Sequence, residues 1–310
     1  MKQKEESKVY DLSIVILSFN VKELLLNCLR SIYENKDAKD SWQVMVVDNG
    51  SSDNSLEAVK KAYPRIESYQ TGQNLGFSKG NNYTIPFLKA PAVLFLNPDT
   101  KIVGDVIQKS LDLLNSDPQI GALTCRVELP NGKLDYSCHR GFPTPWNSLT
   151  YFLGLAKRFP KLKLFSGYTA TYLDINTTHE MECGSGTFLM VKRDVGDKIG
   201  WWDSDYFWNG EDIEFFYQVK ELGYKTYYYA GGKVIHYKGS SSGLQSTSQA
   251  VVPKERKITS AKHATEAMRI FFMKHYYHQY FPGLREFILL GIYLLEKMRI
   301  LKINSGLKYE

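Results

Sequence analysis

Residues 12–17 read LSIVIL, residues 43–47 read QVMVV and residues 92–96 read AVLFL. Each is a short, unbroken apolar run rich in β-branched side chains, the pattern of a strand covered on both faces. After the first run, Val21 to Tyr33 carries Leu24, Leu25, Cys28, Leu29 and Ile32 at helical spacing. The second run ends in Asp48-Asn49-Gly50-Ser51-Ser52-Asp53, a cluster of turn and N-cap residues, and Leu56 to Tyr63 then reads as a helix. Ile66 to Tyr69 reads as a short strand, and Phe77 to Leu88 as a helix interrupted near Pro86. Strands alternating with helices make βαβ units and a parallel sheet, so the fold class is α/β. In such sheets ligands bind beyond the carboxyl ends of the strands. Ser18, Asp48 and Asp99 each follow a strand end, and three polar groups from separate strands are therefore expected at one edge.

The second half is less regular. Gly121 to Cys125 and Phe188 to Val191 read as strands, the latter after Cys183-Gly184-Ser185-Gly186-Thr187. The stretch from Pro143 to Ala170 is aromatic and basic and shows no assignable period. Gly210-Glu211-Asp212 opens a helix that runs to Leu222, with Gly223 suited to its C-terminal stop. Lys225 to Ala230 and Val234 to His236 read as strands separated by Gly231-Gly232. A mobile Ser- and Gln-rich loop is expected over residues 243–260, followed by two helices, Ala261 to Tyr280 and Leu284 to Ile300.

Composition narrows the function classes. The 310 residues are 43% hydrophobic and 23% charged, enough for one large domain or a domain with an appendage. The net charge of +6 suits an anionic ligand or anionic lipid headgroups. No dense basic block or nucleic-acid motif occurs, so a nucleic-acid partner is not expected. Cys28, Cys125, Cys138 and Cys183 form no C-x-x-C pair, which argues against zinc ribbons and thioredoxin chemistry and favours a reducing compartment. Met1 to Val9 is polar and lacks a signal-peptide pattern, and the longest late apolar run, Phe287 to Leu295, is too short to span a bilayer.

Several segments carry groups able to hold a nucleoside diphosphate. Asp48 can accept hydrogen bonds from a base N–H or a ribose hydroxyl, although Asp48 and Asp53 equally suit a turn and a helix cap. Asn74-Leu75-Gly76-Phe77-Ser78-Lys79-Gly80-Asn81-Asn82 has glycines that allow close backbone approach, and amides and a lysine to meet phosphate. It does not match G-x-G-x-x-G, so a dinucleotide reading is poorly supported. Asn97-Pro98-Asp99 puts a carboxylate after a strand, where it can bind Mg2+ or Mn2+ or simply belong to a turn. Glu211 and Asp212 begin a helix, where the dipole favours negative charge whether or not catalysis uses it. His236 follows a strand and is a candidate metal ligand or phosphate contact.

In this order the segments resemble the family 2 inverting glycosyltransferases of GT-A fold, and most nearly their rhamnosyltransferase-like branch. The resemblance rests on Ile16-Leu17-Ser18-Phe19-Asn20, Val46 through Asp53, Asn74 through Asn81, Leu96-Asn97-Pro98-Asp99, Gly200-Trp201-Trp202-Asp203, and Tyr206-Phe207-Trp208-Asn209-Gly210-Glu211-Asp212-Ile213-Glu214. It covers roughly Leu12 to Ser242. It implies a GT-A catalytic domain over residues 1–242, with a donor half near 10–125, an acceptor half near 126–242, and a helical appendage over 261–310. It implies an open, mostly parallel Rossmann-like sheet flanked by helices.

The resemblance further implies that Ser18, Asn20 and Asp48 border the nucleoside, and that Asn74, Gly76, Phe77, Lys79 and Asn97 lie against the donor. Asp99 corresponds to the metal-binding carboxylate of D-x-D, and His236 to a histidine closing the diphosphate–metal site around Mg2+ or Mn2+. Asp212 is the implied base, with Glu211 second. The partners so implied are a nucleoside-diphosphate sugar, a rhamnose-like deoxyhexose on this branch, and a glycan or lipid-linked acceptor for cell-surface polysaccharide. Two departures stand out: D-x-D reads Asn97-Pro98-Asp99, lacking its first carboxylate, and Gln218 stands where relatives often carry Arg. Aromatic and basic residues in the C-terminal helices suit peripheral contact with the inner face of a plasma membrane, or packing on the catalytic domain. A sugar nucleotidyltransferase is disfavoured because Ser18 to Glu23 lacks a Gly-rich basic loop, and a catalytically silent scaffold is disfavoured by the acidic pair and Asp99.

Overall fold

A computed structural model describes residues 9–34, 41–237 and 253–306. The first four strands are β1 (Leu12–Ser18), β2 (Trp42–Asp48), β3 (Glu67–Gln70) and β4 (Ala92–Leu96), with α1 (Lys22–Tyr33), α2 (Ser55–Ala62) and α3 (Gly76–Asn82) between them. Then come β5 (Thr100–Val103), α4 (Val106–Ser116), β6 (Ile120–Glu128), and the short helices α5 (Pro145–Phe152), α6 (Leu155–Arg158) and α7 (Lys163–Ser166). The chain continues through β7 (His179–Glu180), β8 (Phe188–Lys192), α8 (Arg193–Ile199), α9 (Glu211–Glu221), β9 (Lys225–His236), α10 (Lys254–His275) and α11 (Pro282–Asn304).

The sheet order is β3-β2-β1-β4-β8-β6-β9-β5, with β7 paired to β9. The run β3-β2-β1-β4 is parallel throughout, as the alternating pattern requires, and β6 and β9 are also parallel. β8 joins β4 and β6 antiparallel, and β5 and β7 lie antiparallel to β9. In the register Ser18 sits beside Asp48, so the ends of β1 and β2 are level.

The apolar runs are unbroken because both sheet faces are covered. Ile14 and Ile16 of β1 pack with α1, α2 and α4 on one face, through residues such as Leu25, Leu29, Val59 and Leu111. Val15, Met45, Val93 and Phe95 point to the other face, into a core with Trp201, Trp202, Phe215 and Phe216. Phe95 stands at 5.0 Å from Trp202 and 6.0 Å from Trp201, edge to face. These rings tie the parallel half to the segment that carries α9.

The structure revises several boundaries. The helix expected from Phe77 to Leu88 is α3 followed by a 3-10 turn at Ile85–Phe87, divided ahead of Pro86. The two strands expected around Gly231-Gly232 are one bulged strand: β9 partners jump from Cys125↔Tyr229 to Arg126↔Lys233, and Ala230 to Gly232 form the extra loop of backbone. Part of the loop expected over 243–260, residues 243–252, lies outside the described residues. From Lys254 onward the chain is already α10, so the helix begins there rather than at Ala261. The unassigned stretch from Pro143 to Ala170 forms α5, α6 and α7, whose brevity hides any helical period. All four cysteines are buried and unpaired.

Phe95 is 1% exposed and meets three aromatic neighbours. Phe95→Ala is expected to lower unfolding free energy by about 3–5 kcal/mol, because the cavity lies between two halves that cannot both collapse into it. Urea denaturation monitored by tryptophan fluorescence checks this.

Candidate active site

The carboxyl ends of β1 and β4, the loops after β3 and before β8, and the start of α9 surround a cleft of about 660 Å3. Of the residues singled out in the sequence, Ser18, Asn74, Gly76, Phe77, Asn97, Asp99, Glu211, Asp212 and His236 line it. Asn20, Asp48 and Lys79 do not.

Those three have local work. Asp48 is 2% exposed, and its carboxylate accepts from the Ser51 amide at 3.2–3.3 Å and from Gln70 Nε2 at 3.4 Å. It shapes the turn after β2. Asn20 accepts from the Ser52 amide at 2.8 Å, with its own amide bonded to Ser51 Oγ at 2.9 Å. Lys79 is exposed on α3; the Asp205 carboxyl is lowered first by its hydrogen bond from Lys274 and that residue's charge, with Lys79 adding less. Asp53 bridges two helix starts, accepting from the Lys22 amide at 2.9 Å and the Ser55 amide at 3.1 Å. The N-cap position of α2 itself is taken by Asn54, which makes no side-chain cap hydrogen bond, so Asp53 serves the turn ahead of it.

The Asn74–Phe77 corner is built by close approach. Asn74 Oδ1 accepts from the Gly76 amide at 2.9 Å and from Asn49 Nδ2 at 3.1 Å. Gly76 has φ of +81°, and a Cβ there would stand 2.6 Å from the Phe207 carbonyl. The same carbonyl accepts from the Phe77 amide at 2.9 Å. Only glycine allows the 207–210 loop to seat against this corner.

Asn97-Pro98-Asp99 is indeed a turn, closed by Thr100 Oγ1 donating to the Asn97 carbonyl at 2.8 Å. It also brings Asp99 into the cleft, so the turn and site readings coincide. Asp99 Oδ1 lies 3.2 Å from His236 Nε2, and Asp135 Oδ2 lies 3.2 Å from His236 Nδ1. Burial alone would push the imidazole down, but hydrogen bonds to Asp135 and Asp99 outweigh it and raise it to about 9. The oxygen and nitrogen facing each other fit a divalent cation, whose adjacent ligands at roughly 2.0–2.1 Å stand about 3 Å apart. Asp135 stands behind the imidazole as an orienting carboxylate would. Among the described residues no group of three His, Cys, Asp or Glu side chains suited to a metal occurs, so diphosphate or water oxygens would have to complete the shell.

Across the cleft α9 starts after Gly210, whose φ is +86°. Asp212 Oδ2 accepts from Arg140 Nη2 at 2.7 Å and from the Gly186 amide at 3.4 Å, while Oδ1 accepts from the Ile213 amide at 2.8 Å. Burial opposes the charge of Arg140, and the Asp212 carboxylate more than offsets it, so the guanidinium stays protonated. Beside it, Glu211 is 7% exposed and its Oε2 has no hydrogen-bond partner. Burial first, then the charge of Asp212, pushes the Glu211 carboxyl up to about 8. Gln218, which stands where relatives often carry Arg, donates to Glu214 Oε1 at 2.7 Å.

Arg140 and Asp135 were not anticipated. Both lie between β6 and α5, where no apolar period frames them. Arg140 is fixed by an isolated bridge to Cys183, a pairing of residues 43 positions apart in sequence. Nor was the wall formed by α10 and α11, which adds Arg256, His263 and Arg299 to the cleft.

A family model described as glycosyl transferase family 2 matches residues 13–174. The chain belongs to that family. This glycosyltransferase is 28% identical over 213 residues to the N-acetylglucosaminyl-diphospho-decaprenol L-rhamnosyltransferase of Mycobacterium tuberculosis, covering 64% of this chain and 68% of that protein. It is 24% identical over 219 residues to the rhamnosyltransferase WbbL of Escherichia coli, covering 67% and 78% respectively. Among solved structures, a Pyrobaculum calidifontis mannosyltransferase in complex with GDP-Man and Mn2+ matches with a TM-score of 0.58 at 15% identity, over 96% of this chain and 74% of that one. That likeness is one of fold, and it agrees with the GT-A architecture expected from the sequence.

Glu211 supplies a pH test for this glycosyltransferase. Its carboxyl moves from an ordinary 4.5 to about 8 in the fold. Between those values the folded protein holds a proton that the unfolded chain has released, so its contribution to stability is full below the lower value and lost as pH rises through the upper. Wild-type stability measured against Glu211→Gln is expected to fall between about pH 5 and about pH 9. Paired urea titrations at the two pH values check it, and a constant difference would sink the raised carboxyl.

Proposed function

We propose that this glycosyltransferase moves a deoxyhexose such as rhamnose from a nucleoside-diphosphate donor to a lipid-linked or glycan acceptor, with inversion. The observation that carries the reading is one cleft with two chemically distinct walls. Asp99 and His236 suit the diphosphate end, and the Glu211–Asp212 pair suits the acceptor hydroxyl. The rhamnosyltransferase names of the two relatives support the sugar, and the first of those names describes a diphospho-decaprenol-linked acceptor.

In this proposal Asp212 is the base. Arg140 and the Gly186 amide grip one carboxylate oxygen and fix its direction. Asp212 takes the acceptor proton as the hydroxyl oxygen bonds to the anomeric carbon, the bond from that carbon to phosphate breaks, and the nucleoside diphosphate leaves. Glu211, its carboxyl raised to about 8 and so mostly protonated near neutral pH, is the second candidate through its ionised fraction. Asn74, Gly76 and Phe77 hold the donor against the 207–210 loop, with Ser18 and Asn97 on the strand side. Asn20 and Asp48, which also shape the turn after β2, and Lys79 on α3 are the further donor contacts of this proposal. Mg2+ or Mn2+ held by Asp99 and His236 would supply charge neutralisation for the leaving diphosphate. The catalytic domain would span the donor and acceptor halves proposed from the sequence, with α10 and α11 as its appendage.

No described helix is long and apolar enough to cross a membrane. Peripheral contact at the inner face of the plasma membrane is proposed instead, through α11. None of the described residues of this helix is buried, while α10 inserts Phe271 and Phe272 into the catalytic core.

A panel of UDP-, GDP- and dTDP-sugars with Mg2+ or Mn2+ tests the donor by thermal shift. One donor is expected to raise the melting temperature by mass action, and Asp99→Ala to abolish the gain. No shift with any sugar nucleotide would count against the donor reading. In turnover assays Asp212→Asn should keep the donor-induced shift and lose about 10²–10⁴-fold in kcat. An equal loss confined to Glu211→Gln would move the base to Glu211.

A further inference from the structure

The exposed apolar side chains gather in two places. One is α11, where Phe287, Leu290, Leu294 and Leu301 are 50–71% exposed. The other is the lobe from Pro145 to Ser166 made of α5, α6 and α7. There Trp146, Leu149, Phe152, Leu153, Leu162 and Leu164 are 47–64% exposed. The lobe is folded on itself: Trp146 Nε1 donates to the Leu164 carbonyl at 2.7 Å, and the Tyr151 ring stands 5.2 Å from that of Tyr168. Its apolar side chains face outward despite this ordered interior.

The charge pattern says what covers them. No Asp or Glu occurs between Asp135 and Asp174, whereas Lys157, Arg158, Lys161 and Lys163 are interleaved with the bare leucines and aromatics. Apolar side chains whose own segment carries only positive charge suit an anionic lipid surface, which offers negative headgroups and a hydrocarbon boundary a few ångströms below them. Position gives the contact a purpose. Ser148, Tyr151 and Phe152 of α5 line the cleft, and so does Arg299 of α11. Both apolar surfaces therefore border the same opening.

We propose that the α5–α7 lobe is a membrane-docking element that inserts its bare leucines and aromatics into an anionic bilayer and, with α11, holds the cleft mouth at the lipid surface. A lipid-linked acceptor then reaches Asp212 without leaving the bilayer. That consequence deepens the lipid-linked reading above and rests on it, whereas the binding itself does not.

The test is flotation of the full chain with phosphatidylcholine vesicles, with and without phosphatidylglycerol, at low and high salt and without sugar nucleotide. Wild type is expected to float only with the anionic vesicles and less at high salt. Leu153→Glu/Leu164→Glu, two exposed positions outside the cleft, is expected to weaken binding roughly tenfold or more. Its thermal unfolding, and its transfer to a short-chain water-soluble acceptor, should stay unchanged. Lys157→Ala/Lys161→Ala/Lys163→Ala should lose most of the salt-sensitive part. Wild-type binding retained in the Leu153/Leu164 variant overturns the proposal and leaves α11 as the lipid contact. A dimer in light scattering that this variant dissolves, with no vesicle binding by wild type, also overturns it and gives the surface to a second copy. Vesicle binding without transfer from any donor would instead sink the functional reading and leave the docking lobe standing.

Discussion

β4 is the strand on which the two halves of the molecule meet. It pairs parallel with β1 on one edge and antiparallel with β8 on the other, and all five of its residues are buried. Leu94 and Leu96 complete the core beneath α1 and α4, and Phe95 enters the aromatic cluster on the opposite face. A strand buried on both faces has little freedom of register, because a shift by one residue would exchange the two cores. That constraint fixes where the strand ends, hence where Asp99 stands. Through β8 and Trp202 it also fixes where the loop before α9 presents Glu211 and Asp212. The floor and the far wall of the cleft are thus set by one packing solution.

Buried charge around the cleft is handled in pairs. Asp99 and Asp135 flank His236, and Asp212 meets Arg140, each contact short and nearly enclosed. Removing one partner from such a pair leaves an uncompensated charge, which costs far more than the pair contributes to stability. Among the described residues Glu211 has no such ion-pair partner, and its Oε2, like Nε of Arg140, is buried without a hydrogen bond. Burial and the neighbouring charge of Asp212 give the Glu211 carboxyl a proton affinity near neutrality.

The last helices divide their work. α10 is tied to α9 by His275 Nε2, 2.8 Å from Glu214 Oε2, with Tyr206 donating to the same oxygen at 3.0 Å. Phe207 stacks on His263 at 5.3 Å, so the loop before α9 is held between Gly76 and α10. α11 packs on α10 and leaves most of its apolar surface bare. The cleft is therefore closed on one side by a helix that belongs to the fold and bordered by apolar surfaces that the described residues leave exposed.

The parallel core was legible in the sequence because its signals are local. Uninterrupted apolar runs at Leu12, Gln43 and Ala92, a helical stripe at Leu25 and Cys28, and Gly223 as a stop each act within a few residues. The same locality put Ser18, Asp99, Glu211 and Asp212 near strand and helix ends, where the cleft is. Amphipathic α4, with Val106, Ile107, Leu111 and Leu114 buried, was equally readable but went unassigned. Other features depend on chain segments far apart in sequence. Arg140 meets Asp212 across 72 positions, and His236 meets Asp135 across 101. No pattern within either segment encodes the partner, since side-chain pairing there follows from how β6, β8 and β9 align in the sheet. The sequence alone thus determined the parallel βαβ character of the donor half and the residue types at its edge. Tertiary structure decided which carboxylate is paired and which is left protonatable, because charge pairing and burial are properties of packed neighbours rather than of the chain.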